Sequence, residues 1–120
     1  MRTPLRRLME PLSSLRGYLL VPLPNNLDAD DISWLQKQLL SRLGQGDGLH
    51  GVLFDFTAVT CTDANDLAEL QSLLETLQEC QTRVALAGIG AGLAALIVRA
   101  ELLMPHDVVG QDLDAVLDEI

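Results

Sequence analysis

The residues best suited to chemistry lie between Thr57 and Asp66, where hydroxyl, carboxylate and amide side chains follow an apolar run that ends at Phe56. A helical pattern begins within Thr62-Asp63-Ala64. The first turn of a helix has free N–H groups and the positive end of the helix dipole, so it can hold an anion or carry a phosphate. Capping of the helix by Thr62 or Asp63 would also explain this composition. The sequence therefore indicates either a plain helix cap or a contact surface controlled by phosphorylation.

The elements that would position these residues alternate between strands and helices. Apolar runs predict strands at 17–23, 51–56, 83–87 and 108–109, and a weaker candidate at 11–15. Helices are predicted from four apolar rows: Ile32, Leu35, Leu39 and Leu43; Leu67, Leu70, Leu74 and Leu77; Leu93, Leu96, Ile97 and Ala100; Leu113, Val116, Leu117 and Ile120. Asp28 and Asp112 are positioned to cap the first and the last. From residue 51 onward, this alternation predicts an α/β fold with parallel strands and right-handed crossovers.

Length and charge set the broad class of protein. With 120 residues, 48% of them hydrophobic, the chain is sufficient for one domain, which we place at 11–120. The net charge of −9 argues against a nucleic-acid partner. A basic segment, 1–10, precedes the domain, and we expect it to be mobile. A signal peptide needs an uninterrupted apolar stretch, which is broken here by Glu10, Pro11, Ser13 and Ser14. Because no apolar run reaches about 18–20 residues either, we expect a cytoplasmic protein without membrane insertion.

The cysteines and histidines do not form the spacing of a metal or catalytic site. Cys61 and Cys80 bracket the predicted central helix, which would hold them about 25 Å apart, so we expect two reduced thiols. His50 and His106 show no metal-ligand spacing to either cysteine. No Gly-x-Ser-x-Gly elbow or phosphate-binding Lys-Ser/Thr loop is present. We therefore predict no metal, no cofactor and no catalytic residue.

One glycine-rich stretch leaves a different function open. Gly88-x-Gly90-x-Gly92 follows a predicted strand and opens a predicted helix, as a dinucleotide-binding loop does, and Asp107 lies about twenty residues further on. The third glycine comes one residue early, and too little chain follows for the second half of such a fold. The preferred interpretation is tight backbone geometry before a helix, and the alternative is a small nucleotide-binding protein or enzyme.

The stretch 51–63 resembles the STAS domain of bacterial anti-sigma factor antagonists, and the resemblance extends over 11–120. In that family an apolar strand ends in Asp, a Ser or Thr follows two residues later, and an Asp-Ser pair opens the next helix. Asp55, Thr57 and Asp63 match these positions, whereas the phosphorylated serine falls on Ala64. The resemblance implies a mixed, mostly parallel sheet of about four to five strands with about four helices, and a regulatory protein without enzymatic activity.

Two further segments, 17–23 and 84–88, resemble the single-domain RsbS-like scaffold of the stressosome. This resemblance implies signal transduction in a stress response: a large assembly with R-type STAS chains and with further copies of the scaffold, which holds an RsbT-like serine/threonine switch kinase. The alternative within the family is a STAS subunit of a transport system, such as a lipid-transport ATPase.

Ala64 departs from the family pattern because it has no hydroxyl group. Three explanations stay open: constitutive binding of the kinase, phosphorylation of Thr60 or Thr62 instead, or an engineered serine-to-alanine change. In each case we expect Asp63, Ala64, Asn65 and Asp66 to form the partner-binding surface.

Overall fold

The computed structural model describes residues 13–46 and 48–120, so the predicted mobile segment 1–10 lies outside the described residues. Within the described part, five strands form one sheet in the order β1-β2-β3-β4-β5. They are β1 (Ser13–Leu15), β2 (Tyr18–Pro22), β3 (Gly51–Asp55), β4 (Arg83–Ala87) and β5 (Val108–Gly110). The strand order follows the chain order, as expected when each crossover leads to the neighbouring strand.

The first two strands form a tight antiparallel hairpin, which is the one departure from parallel pairing. Leu15 pairs with Tyr18, so only Arg16 and Gly17 make the turn. Both have positive φ angles, +54° and +84°, as a two-residue hairpin turn of this handedness requires. The described residues of the weak 11–15 candidate are therefore a real edge strand. Pro22 is the last residue of β2.

Four helices connect or follow the strands in the described chain: α1 (Ala29–Leu43), α2 (Ala64–Glu79), α3 (Ala91–Arg99) and α4 (Leu113–Glu119). Asp28, Asp63 and Asp112 cap α1, α2 and α4, each accepting a hydrogen bond from the backbone N–H three residues later. Gly90 occupies the cap position before α3 and provides no side-chain hydrogen bond to the helix. Together with the mixed sheet, these elements confirm the predicted α/β class.

The sheet separates two apolar layers. On one face, Val52, Phe54 and Leu86 pack in a cluster with the apolar rows of α1 and α2 and, less deeply, of α3. On the other face, Leu53 and Ala85 pack with Val116 of α4. The helices α1, α2 and α3 each connect one strand to its neighbour in the sheet. Because these crossovers run in the same direction and are right-handed, the three helices lie on the same face of the sheet, and α4 packs on the opposite face.

The burial of the helices corrects two details of the predicted rows. Leu43 is half-buried rather than buried, because it lies in the last turn of α1, and Leu73 joins the buried row of α2 although the predicted stripe omitted it. Within the described ranges, none of the helices combines the length and apolar character required to cross a membrane.

Candidate partner-binding surface at the start of α2

The end of β3 is held by a small turn around Asp55. Its carboxylate Oδ1 accepts hydrogen bonds from the Thr57 backbone N–H (3.0 Å) and from Thr57 Oγ1 (2.6 Å). Gly88, after the neighbouring strand β4, lies against this turn with φ +78°, and a Cβ atom there would come within 2.4 Å of Thr57 Oγ1. The Asp and Thr that matched the family pattern therefore stabilise the loop that leads to α2.

The loop from Thr57 to Thr62 is also tied to the segment after β2. The backbone N–H groups of Thr60 and Cys61 donate to the Asn25 carbonyl at 2.9 and 2.8 Å. The Leu27 N–H donates to the Cys61 carbonyl at 3.0 Å, which forms an isolated parallel bridge between Asn26 and Cys61. These bonds place the starts of α1 and α2 side by side at the carboxyl-terminal end of the sheet.

Three of the four predicted surface residues are exposed at the first turn of α2. Asp63 has extended backbone geometry and accepts a hydrogen bond from the Asp66 N–H at 2.8 Å, so it is the cap of the helix. Ala64 is the first helical residue, and Asp63, Ala64 and Asn65 all face solvent. A partner can reach this turn without any rearrangement of the described residues.

Asp66, the fourth residue, links the two helices. Its Oδ1 accepts a hydrogen bond from the Ala29 N–H, the first backbone N–H of α1, at 2.9 Å. Asp28 caps the same helix by accepting from the Asp31 N–H at 2.9 Å. We call Asp28, Asp63 and Asp66 the acidic corner. Its carboxylates accept hydrogen bonds from backbone N–H groups at the starts of both helices. These N–H groups are therefore not free to bind an anion.

The charges of the acidic corner act on one another. Loss of hydration at the helix junction raises the pKa of Asp66, and the negative charges of Asp63 and, to a lesser extent, Asp28 raise it further, although the hydrogen bond from Ala29 opposes the shift. A fourth negative group in this corner would be repelled, whereas a lysine or arginine would relieve the repulsion. The corner is therefore suited to a basic contact.

The two threonines proposed as alternative phosphoacceptors differ in access. Thr60 is exposed, with Oγ1 3.4 Å from the Asn25 carbonyl. The Thr62 hydroxyl is buried and has no hydrogen-bond partner among the described residues. Thr60 is therefore the more accessible of the two threonines, because its side chain is exposed.

Other candidate residues do not converge on this corner. Among the described residues, no three His, Cys, Asp or Glu side chains are grouped so that they could hold a metal ion, and Cys61 and Cys80 are exposed free thiols. Asp107 accepts a hydrogen bond from the Val84 N–H at 2.8 Å, near the start of β4. Gly88 follows the other end of that strand, so Asp107 lies too far from it to complete a dinucleotide site.

Sequence reasoning missed the contact between Asp66 and Ala29 and the role of Asp28 beside α2. The acidic first turns were visible in the sequence, but no local pattern indicates that two helix starts are neighbours. That information lies in the pairing of β2 with β3.

Several solved structures share this architecture. RsbS from Moorella thermoacetica superimposes with a TM-score of 0.74 at 19% identity, covering 91% of this chain and 92% of that one. A chain from the stressosome, described as a signal integration and transduction hub, gives 0.70 at 18% identity, with 91% and 94% covered. A sulfate transporter family protein from Wolinella succinogenes gives 0.66 at 14% identity, with 89% and 87% covered.

These likenesses establish the class: the chain has the STAS fold, as the resemblance in its sequence predicted. No sequence-family profile and no curated protein sequence matches the chain. At such low identities the particular function has to be argued from the surface of this molecule.

Proposed function

We propose that the chain is a non-enzymatic STAS regulatory protein of the RsbS-like scaffold type. Its partners would be a serine/threonine switch kinase, R-type STAS chains and further copies of itself. The observation that carries this proposal is the exposed first turn of α2, where Asp63, Ala64 and Asn65 face solvent. Asp66 holds that turn rigidly against α1. A preorganised surface binds with a smaller loss of conformational entropy than a mobile one.

Ala64 makes this surface resistant to the usual form of regulation. Since its side chain cannot accept a phosphate, position 64 keeps its charge and shape whatever the activity of the kinase. We propose that the chain binds its kinase constitutively. Thr60 is the alternative phosphoacceptor, because the buried hydroxyl of Thr62 requires the loop to open first.

The test is a binding measurement between the purified chain, a candidate switch kinase and an R-type STAS chain, with the complex mass followed by light scattering. We expect stable complexes with the wild type and weaker kinase binding for Ala64→Lys, which places a positive charge where the acidic corner favours a basic contact. Gln38→Lys is the matched control, because Gln38 is exposed on α1. Failure of the wild type to bind either protein would contradict the proposal.

A transport role is the second candidate, favoured by the likeness to the sulfate transporter family protein. In this interpretation the same surface would contact a membrane transporter or the ATPase of a lipid-transport system. Affinity purification with a permease–ATPase complex and, separately, with the switch kinase distinguishes the two roles. Retention of the chain by the permease–ATPase complex, and not by the kinase, would favour transport.

A further inference from the structure

Helix α3 has an unusual composition for a surface helix. From Ala91 to Val98 it contains only glycine, alanine, leucine, isoleucine and valine, and Arg99 is its only polar residue. A helix that is apolar all round is normally buried on every side. Yet none of the residues of α3 is fully buried.

The reason is that α3 has two apolar faces and the described chain covers only one. Leu93, Leu96 and Ile97 turn inward and pack, half-buried, against the main core. The outer face is open: Val98 exposes 75% of its surface, and so does Leu103 in the segment after the helix. We call Ala94, Ala95, Val98 and Leu103 the α3 patch. The Leu102 N–H donates to the Ile97 carbonyl at 3.1 Å, so the segment that carries Leu103 folds back on the end of α3. Exposed apolar side chains that are near neighbours mark interaction sites more often than an isolated exposed leucine does.

The α3 patch meets the acidic helix α2 at Leu103. The Leu103 N–H donates to Gln71 Oε1 at 2.8 Å, and Gln71 Nε2 donates to Glu75 Oε1, also at 2.8 Å. A carboxylate is thus held one side chain away from the patch. With its cap, α2 carries five acidic residues and no lysine or arginine: Asp63, Asp66, Glu69, Glu75 and Glu79. From Asp63 to Gln71 the helix rises only about 12 Å, so one partner can span both surfaces.

We infer that the α3 patch is a second docking site, occupied by a partner protein whose apolar contact face is bordered by lysine or arginine. The inference rests on the proposed function, since the same partner would also reach the first turn of α2. Charge complementarity selects this occupant: the apolar face fits Val98 and Leu103, and the basic border fits the carboxylates of α2. A second copy docking through the same patch would bring two acidic helices together, which is unfavourable. An anionic membrane surface would be repelled in the same way.

The experiment measures the affinity of the candidate kinase for four forms of the chain: wild type, Val98→Ser, Leu103→Ser and Val109→Ser. Val109, 52% exposed on the edge strand β5, provides the matched control. We expect the first two substitutions to weaken binding about tenfold each, as for residues central to an interface, and the control to leave it unchanged. Melting temperatures should stay the same, since each changed side chain is largely exposed. Equal binding by all four forms overturns the inference and leaves the proposed function intact.

A second measurement tests the docking site independently of the proposed function, in case the wild type does not bind the kinase. The probe is a synthetic amphipathic helix with leucines on one face and lysines along both borders, and its control has glutamates in place of the lysines. Binding of the lysine peptide alone, lost in Val98→Ser, supports the docking site even though the proposed function has failed. Binding of neither peptide overturns it. Self-association that Val98→Ser abolishes would also overturn it, because a second copy would then be the occupant.

Discussion

Replacement of Gly88 by alanine tests how the loop before α2 is supported. Gly88 has φ +78°, and an added Cβ would lie 2.4 Å from Thr57 Oγ1 and 3.0 Å from the Thr57 backbone nitrogen. A non-glycine residue in this region costs about 1–2 kcal/mol. Displacing Thr57 also weakens its hydrogen bond to Asp55, which contributes about 1 kcal/mol. The reduced freedom of the unfolded chain returns about 0.5 kcal/mol. We therefore expect Gly88→Ala to lower the free energy of unfolding by about 2 kcal/mol.

Gly92→Ala is the matched control for this prediction. Gly92 lies inside α3, and an added Cβ there would meet nothing within 4 Å. Because alanine is the better helix former, this variant should be more stable than the wild type by about 0.5 kcal/mol. Urea unfolding followed by circular dichroism measures both changes. If Gly88→Ala were as stable as Gly92→Ala, the close packing of Gly88 against the Thr57 turn would be refuted.

The remaining predictions concern the acidic corner. Asp63→Ala should lower the free energy of unfolding by about 1 kcal/mol because α2 loses its cap, while Asp63→Asn should change it by only a few tenths; urea unfolding of both variants checks the difference. Ala64→Glu should leave stability within about 0.5 kcal/mol of the wild type, since the favourable helix dipole is offset by Asp63 and Asp66; a large loss would contradict the exposure of position 64. The pKa of Asp66 is raised in the folded chain, so its ionisation costs stability as the pH rises through that pKa. Asp66→Asn has no such cost, so its free energy of unfolding relative to the wild type should increase from acidic to neutral pH. A relative decrease would show that the pKa of Asp66 is lowered rather than raised.

Much of the fold was visible in local patterns. The row of leucines from Leu67 to Leu77 repeats at helical spacing, and Asp63 stands at the cap, so α2 was predicted with nearly the observed bounds. The strand Arg83–Ala87 was predicted with the bounds that the structure shows. Such predictions succeed because helix and strand periods and cap chemistry depend on residues a few positions apart. Leu43 was misplaced because the depth of a helix end depends on what packs over it.

The candidate surface was predicted only in part. The sequence indicated that residues 63–66 open a helix after a strand, and the structure places Asp63, Ala64 and Asn65 in solvent. The sequence did not distinguish the exposed Thr60 from Thr62, whose hydroxyl is buried. The difference arises from the hydrogen bonds between the loop and the Asn25 segment, 35 residues away.

By itself, then, the sequence determined the elements, their caps, the acidic charge and the absence of a hydroxyl at position 64. Only the tertiary structure decided that Asp66 bonds to the start of α1 and that the outer face of α3 stays uncovered by residues 13–46 and 48–120. The physical reason is that periodicity shows that a face is apolar but does not identify what covers it. The sequential strand order gives each helix a neighbour, and α3, which connects β4 to the edge strand β5, keeps one face open in the described part of the chain.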